Sequence, residues 1–214
     1  MIPVKQTDTV SPAPGLSDPV DVEVLALHLW RRLDFRFLLP LLEPGRVGYA
    51  GNVNGETVPA LRLLDPDATA IPADGTKTLK EEFDVVLLCS PTRITFESAV
   101  AALKPGGWIC AEIRSSLLSP SGPRTLMGWE RAFARKGMKD ISVHWHAPGL
   151  DFPSRIVPVA SATAVRDALS RHQRVRLGKA KELMGRTALV LGLFAAAAPE
   201  GTVIGRRPLD GEAR

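Results

Sequence analysis

Two mostly apolar runs, separated by one segment of helical period, dominate the middle of this chain. The runs are FDVVLLCS, residues Phe83 to Ser90, and WICAEI, residues Trp108 to Ile113. An apolar run without polar alternation is typical of a parallel strand that is covered on both faces. The segment TFESAVAALKPGG lies between the runs and ends in a Pro-Gly-Gly breaker. This order predicts a right-handed βαβ unit and therefore an α/β protein with a parallel sheet.

The alternation of strand and helix patterns continues on both sides of this unit. Asp18 and Pro19 form a helix start signal, so we expect residues 1–17 to be a disordered leader and residues 18–214 to be a single domain. Between about 149 and 200, an irregular proline-containing segment precedes a long helix-prone stretch, which predicts a helical insertion. Further strands are predicted at 47–50, 68–71, 141–147 and 201–207, and further helices at 56–64 and 126–138.

Composition limits the class of protein. The chain has 27 Lys or Arg residues against 23 acidic residues, and its basic segments have no interleaved aromatic residues, so we expect no nucleic-acid partner. The N-terminus lacks the apolar region of a signal peptide, and the longest apolar stretch, 188–198, is shorter than the roughly 20 residues that cross a bilayer. We therefore expect a cytoplasmic protein with no transmembrane segment. Cys89 and Cys110 lack metal-binding spacing and are expected to be buried thiols.

The segment VGYAGNVNG, residues 47–55, has the outline of a glycine-rich turn between a strand and a helix. Such a turn can bring backbone close to a nucleotide cofactor, because glycine has no Cβ and tolerates positive φ. Three segments in this order, LLPLLEPGRVGYAGNVNG, FDVVLLCSP and AALKPGGWICAEI, resemble the class I S-adenosylmethionine-dependent methyltransferases. The resemblance covers roughly residues 38–146. A later segment, HWHAPGLDFPSRIVPV, resembles methyltransferase-like proteins of bacterial glycan or natural-product pathways.

The resemblance implies a Rossmann-like α/β sandwich whose parallel sheet has a last antiparallel strand, here GTVIGRR. It also implies that S-adenosylmethionine binds across the carboxyl ends of the strands. Between Gly55 and Asp84 there is room for about one βα unit where the family has two. The fold is therefore expected to be shortened by one βα unit.

The family's loop follows the pattern acid-x-Gly-x-Gly-x-Gly, and this chain departs from it at two positions. Tyr49 stands in place of the acid and Val53 in place of the middle glycine. A second acid should end the second strand and hold the ribose hydroxyls, and Asp65 or Asp67 is the candidate. The cofactor-binding residues that the resemblance implies are Tyr49, Gly51, Asn52, Gly55, Asp65, Cys89 and Ser90. Ser90 can instead hydrogen-bond the acceptor substrate or belong to a plain strand-to-helix turn.

His144 and His146 are the first candidates for catalytic chemistry. Because strand side chains alternate, both should point to one face and Trp145 to the other. The pair can supply a general base or a metal site completed by Asp151 or His172, although we assign no metal. Ordinary polar residues on a half-exposed edge strand are the remaining interpretation.

Glu112 is a third catalytic candidate, because it ends a buried strand near the same rim as Arg114. Its carboxylate can act as a base or orient a donor. The alternative is an ion pair at the rim that contributes about 0–1 kcal/mol.

A basic segment, 165–186, is predicted to be helical, with apolar residues interleaved between its charges. It can be a solvated helix face, or a surface for an anionic partner such as a phosphorylated sugar, a membrane surface or an acidic pathway protein.

Two functions are compatible with the sequence. The first is methyl transfer from S-adenosylmethionine to a hydroxyl or amine of a small molecule of natural-product or sugar type. The second is a methyltransferase-like protein that has lost cofactor binding and serves as a non-methylating enzyme or as a partner or structural protein in a biosynthetic pathway.

Overall fold

The structure, a computed structural model, describes residues 29–30, 33–41, 43–72, 79–114, 122–150, 153–171 and 178–212, with the backbone alone for 178–181. The predicted leader lies outside the described residues, as does most of the predicted first helix. The strands are Val47–Gly51 (β1), Thr69–Ala70 (β2), Phe83–Cys89 (β3), Leu103–Arg114 (β4), Lys139–Ala147 (β5), Arg155–Pro158 (β6) and Glu200–Arg206 (β7). The α-helices are Thr57–Leu64 (α1), Arg93–Ala102 (α2), Leu126–Arg135 (α3), Ala162–Ser170 (α4), Gly178–Val190 (α5) and Phe194–Ala197 (α6). A 3-10 helix spans Asp34–Leu38.

The strands form one sheet in the order β2-β1-β3-β4-β7-β5-β6. The four strands from β2 to β4 are parallel, and β7 lies between β4 and β5 and is antiparallel to both. A single described helix and a two-residue strand, α1 and β2, separate β1 from β3. The predicted α/β sheet with a last antiparallel strand, shortened by one βα unit, is confirmed.

One strand was missed by the sequence interpretation. β6 pairs antiparallel with β5 and forms the edge of the sheet. Its segment, RIVP, ends in Pro158, which lowers its strand signal, although proline is tolerated on an edge strand because one side needs no ladder hydrogen bond. Since β6 takes the edge, β5 and its two histidines lie inside the sheet, and the interpretation of β5 as an edge strand was wrong.

Helices cover the two faces of the sheet, which we call the α1 face and the α2 face. On the α1 face, Leu61 packs with alternate residues of β1, β3 and β4 such as Val85 and Cys110. On the α2 face, Phe96 stacks on Phe133 with ring centroids 4.8 Å apart, and both rings pack against the other set of strand residues. The alternation along each strand therefore fixes which side chains meet which helices.

The predicted basic helix is two helices that pack against each other. A Cβ at Gly185 of α5 would lie 2.7 Å from the side chain of Leu169 of α4. In one continuous helix these two positions would be about 24 Å apart. Within the described part of the chain, no helix is both long and apolar enough to cross a membrane.

Candidate functional site

A cleft of about 510 Å³ opens at the carboxyl ends of β1 and β3. The chain leaves β1 toward β2 on one side and reaches β3 on the other, so the cleft lies where the strand order reverses. Open α/β sheets bind their ligands at such a switch point. Four of the residues predicted to bind cofactor line the cleft, namely Tyr49, Gly51, Asn52 and Ser90.

Gly51 is required by the geometry of this cleft. Its φ is +94°, and a Cβ there would collide with the carbonyl oxygen of Cys89 at the end of β3. The same carbonyl accepts a hydrogen bond of 2.7 Å from the N–H of Asn52. The ends of β1 and β3 are therefore held together by a backbone contact that only glycine permits.

Gly55 differs from Gly51 both in its backbone conformation and in the space around it. Its φ is not in the positive range, and a Cβ there would meet no described protein atom within 4 Å. The fold itself therefore does not require glycine at this position. The predicted cofactor role of Gly55 remains a prediction.

Ser90 lies on the rim of the cleft in a left-handed conformation, with a φ of +48°. Non-glycine residues adopt this conformation at a cost, and such strain concentrates at functional sites. The Ser90 N–H donates a 2.9 Å hydrogen bond to the carbonyl of Glu112, which holds the backbone of Ser90 beside β4. The neighbouring Cys89 is buried, and its cofactor role likewise remains a prediction.

The interpretation of Asp65 as the ribose-binding acid does not fit its position. Its Oδ2 accepts a 2.7 Å hydrogen bond from the N–H of Val47, the first residue of β1. Asp65 and Asp67 both precede β2, so they lie at the amino edge of the sheet, opposite the cleft. The carboxyl end of β2 carries Ala70 and then Ile71, both uncharged. The acid at this position is used to anchor the start of β1.

A second group of polar residues crosses the α1 face near the carboxyl end of β4. The strand register aligns Cys89, Glu112, Thr202 and His144 on β3, β4, β7 and β5, and we call these four residues the polar row. Side chains directly opposite on neighbouring strands have Cβ atoms about 4.5–5.5 Å apart. The three predicted catalytic residues are therefore brought to one face. His146 lies two residues beyond His144 on β5 and is the next residue on that face. None of them lines the cleft.

Thr202 was missed by sequence reasoning; it contacts His146 and is the cross-strand neighbour of His144. Its hydroxyl lies 2.8 Å from Nε2 of His146, and both side chains are buried. The sequence carried a weak signal, because Thr202 is a polar residue directly before the apolar pair Val203 and Ile204. As predicted, Trp145 points to the opposite face, where its ring packs edge to face on Phe194 at 5.2 Å.

Burial shifts the pKa values of two groups in this region, His144 and Cys110. Burial lowers the pKa of His144, so its imidazole is neutral at neutral pH. Burial also raises the pKa of the Cys110 thiol well above its usual value, and the nearby Glu112 carboxylate adds to the shift. Cys110 is therefore a neutral core thiol.

The metal-site interpretation of the two histidines and the ion-pair interpretation of Glu112 and Arg114 each involve further residues. Among the residues that the structure describes, no group of three or more His, Cys, Asp or Glu side chains is arranged to hold a metal ion, and Asp151 and His172 lie outside them. Arg114 forms an ion pair of 3.3 Å with Glu200. The carboxylate of Glu200 also accepts a 2.6 Å hydrogen bond from the N–H of Leu150, which ties the start of β7 to the segment after β5.

The placement of a reversed β7 between β4 and β5, beside a parallel β2-β1-β3-β4 set, is the arrangement that the sequence resemblance implied. The chain has the fold of the class I methyltransferases. No protein-family model and no curated protein matches this sequence. The chain is instead similar in structure to solved methyltransferases.

Three of these structures illustrate the methyltransferase fold. A SAM-dependent methyltransferase of Thermotoga maritima, a possible histamine N-methyltransferase, is 12% identical with a TM-score of 0.48 and covers 88% of this chain and 95% of that one. A chain from the complex of the Haloferax volcanii Trm112 methyltransferase activator with the putative methyltransferase is 14% identical, with a TM-score of 0.47 and coverage of 90% and 95%. The Haemonchus contortus phosphoethanolamine N-methyltransferase 2 is 14% identical with a TM-score of 0.45. It covers 83% of this chain, which spans 53% of that protein.

The lining of the cleft can be tested against the cofactor that the methyltransferase fold implies. Every described residue that lines it is uncharged, and the polar side-chain groups of these residues are hydroxyls and one amide. Hydroxyl and amide groups can donate and accept hydrogen bonds, so they fit an adenosine moiety. Among the described residues the lining supplies no carboxylate for the ribose, and the position at which the family has its loop acid is occupied by the half-buried Tyr49.

Proposed function

We propose that this protein transfers a methyl group from S-adenosylmethionine to a hydroxyl or amine of a small molecule. The observation that carries the proposal is the cleft at the switch point of a methyltransferase fold, walled by the glycine that its geometry requires, Gly51. A volume of about 510 Å³ is in the range of small-molecule sites.

In this proposal, polar side chains replace the missing carboxylates. Tyr49, Asn52, Ser90 and Thr92 line the cleft and would hold the adenosine portion of the cofactor. S-adenosylmethionine supplies the electrophilic methyl group when bound. The chain's own share of catalysis is to orient the acceptor and exclude water, which methyl transfer needs more than acid-base chemistry.

In this proposal, His144 or Glu112 of the polar row would remove the proton from the acceptor hydroxyl or amine. A neutral imidazole accepts a proton, and burial keeps His144 neutral at neutral pH. Glu112 lies on β4, next to the strand that leads into Ser90, so its carboxylate is the second candidate base. His146 is buried against Thr202, and we assign it to the support of the row rather than to contact with substrate.

Calorimetry or thermal shift with S-adenosylmethionine and S-adenosylhomocysteine tests the proposal. A specific ligand at a hundredfold excess over its Kd stabilises the native state by about 2.7 kcal/mol. Adenosine alone is the matched control, because it reports on the hydroxyl-lined part of the cleft without the charged methionine end. Stabilisation by both sulfur ligands is expected. The absence of any stabilisation at millimolar concentration would overturn the proposal.

The second candidate function is a methyltransferase-like protein that no longer binds this cofactor and acts as a non-methylating enzyme or as a pathway partner. Two observations favour it: the described residues that line the cleft are uncharged, and Asp65 is used at the opposite edge of the sheet. Stabilisation by adenosine without stabilisation by S-adenosylmethionine would favour this candidate over methyl transfer.

A further inference from the structure

One helix of this protein turns its more apolar face toward solvent. The side chains of Leu183 and Met184 on α5 are 68% and 71% exposed, and those of Val190 and Leu191 are 81% and 64% exposed. Leu191 continues the helical turn, because its N–H donates a 3.0 Å hydrogen bond to the carbonyl of Thr187. We call Leu183, Met184, Thr187, Val190 and Leu191 the outer face of α5.

Helical geometry separates this outer face from the packed side of the helix. At about 100° per residue, the five outer residues fall within an arc of about 120° and extend about 12 Å along the axis. The packed side carries Glu182, which is buried, Gly185, which contacts Leu169, and the partly buried Leu189. A contiguous exposed patch of large apolar side chains marks an interaction surface.

Positive charge is concentrated in the part of the sequence that leads into the outer face. Residues 166–186 include seven Lys or Arg residues and two acidic residues. Arg166, Arg171 and Arg186 are exposed, and the last two form ion pairs with Asp167 and Glu182 on their own helices. The occupant of the outer face must therefore accept apolar side chains next to an excess of cations.

Charge decides between the possible occupants. A symmetric contact between two copies would bring two such basic segments together, and their repulsion opposes it. An acidic protein would need a groove for the apolar side chains in addition to negative charge. An anionic bilayer offers both in one surface, because apolar side chains enter the acyl boundary while Lys and Arg remain among the headgroups.

We propose that α5 binds an anionic membrane surface through its outer face and lies in the plane of the interface. This binding is independent of the proposed methyl transfer. It would bring the cleft to acceptors that are present at or near a membrane.

Co-flotation of the full chain with lipid vesicles tests this proposal. One vesicle preparation contains phosphatidylcholine alone, and the other contains equal parts of phosphatidylcholine and phosphatidylglycerol. Binding is expected to the anionic vesicles, to be at least about tenfold weaker on the neutral ones and to fall with added salt. The double substitution Leu183→Ser and Met184→Ser should weaken binding at least about tenfold.

The matched control is Leu63→Ser on α1, where the leucine is 48% exposed and distant in sequence from the basic segment. This substitution removes a comparable exposed leucine and should leave flotation unchanged. Three results would each overturn the proposal: no flotation with anionic vesicles, flotation unaffected by the double substitution, or a dimer in solution that the double substitution converts to monomer.

Discussion

The carboxylate of Asp65 accepts a 2.7 Å hydrogen bond from the backbone N–H of Val47, and so ties the end of α1 to the first residue of β1. The other carboxylate oxygen accepts a 3.0 Å hydrogen bond from the N–H of Asp67. This acid therefore organises the amino edge of the sheet, away from the cleft. Its role is structural, and substitution can separate that role from ligand binding.

Asp65→Ala is expected to destabilise the protein by about 1–3 kcal/mol, because the N–H of Val47 loses a charged hydrogen-bond acceptor. Ligand affinity measured on the folded fraction should not change. Urea unfolding and calorimetry provide the two measurements. Asp67→Ala is the control, since the Asp67 groups with described hydrogen bonds are on its backbone, and little change in stability is expected. A variant at Asp65 with unchanged stability and weaker cofactor binding would contradict this assignment.

Gly51→Ala is expected to cost about 2–4 kcal/mol and to abolish ligand binding in the cleft. The added Cβ meets the carbonyl of Cys89, and the backbone at φ +94° disfavours any side chain. Gly55→Ala in the same loop adds a methyl group to open space and should change the free energy of unfolding by less than about 1 kcal/mol. Equal losses of stability in the two variants would show that the contact with Cys89 does not matter.

Val53→Gly tests whether the side chain at the family's middle glycine position obstructs the cofactor. Val53 lines the cleft, and its removal is expected to tighten S-adenosylmethionine binding by opening space for the ligand. Isothermal titration of the variant and the wild type measures the difference. If the variant binds no better, the limit on cofactor binding lies elsewhere in the loop.

Thr202→Val is expected to destabilise the protein by about 1–3 kcal/mol, because it removes the hydroxyl that pairs with the buried Nε2 of His146. Thr202→Ser keeps the hydroxyl and serves as the matched control. The ¹⁵N resonance of His146 Nε2 should move in the valine variant and stay near its wild-type position in the serine variant. Identical resonances in all three proteins would exclude the hydrogen bond.

The lowered pKa of His144 predicts a loss of stability in acid. Its usual value is 6.5, so below that pH the unfolded chain takes up a proton that the folded protein accepts only at lower pH. The contribution is complete above about pH 6.5 and is lost as the pH falls through the lowered pKa of the folded state. Urea unfolding at about pH 7.5 and about pH 5.5 should show a larger decrease for the wild type than for His144→Gln. Parallel decreases would assign the pH dependence to other groups.

Elements with strong local patterns were predictable. The apolar run at Phe83–Cys89 predicts a covered strand, and the structure places it inside the sheet, between β1 and β4. β6 was not predictable, because a four-residue segment that ends in proline is a strand only when a neighbour such as β5 offers an edge. β4 also begins earlier than its apolar run, at Leu103, because Leu103 pairs with Phe83 at the start of β3.

The sequence by itself determined the α/β alternation, because apolar periodicity is a local property, and its resemblance to the methyltransferase family implied the reversed last strand. The contact that requires glycine at position 51, with the carbonyl of Cys89, was decided by the tertiary structure. Only the tertiary structure decided at which edge of the sheet Asp65 lies and which face of α5 is exposed to solvent. Asp65 was a plausible cofactor ligand until its side chain was placed at the amino end of β1. Similarly, the apolar residues of α5 were expected to lie within a charged helix, and their exposure follows from the packing of Gly185 against Leu169. Such orientations depend on contacts between distant residues, which no local pattern encodes.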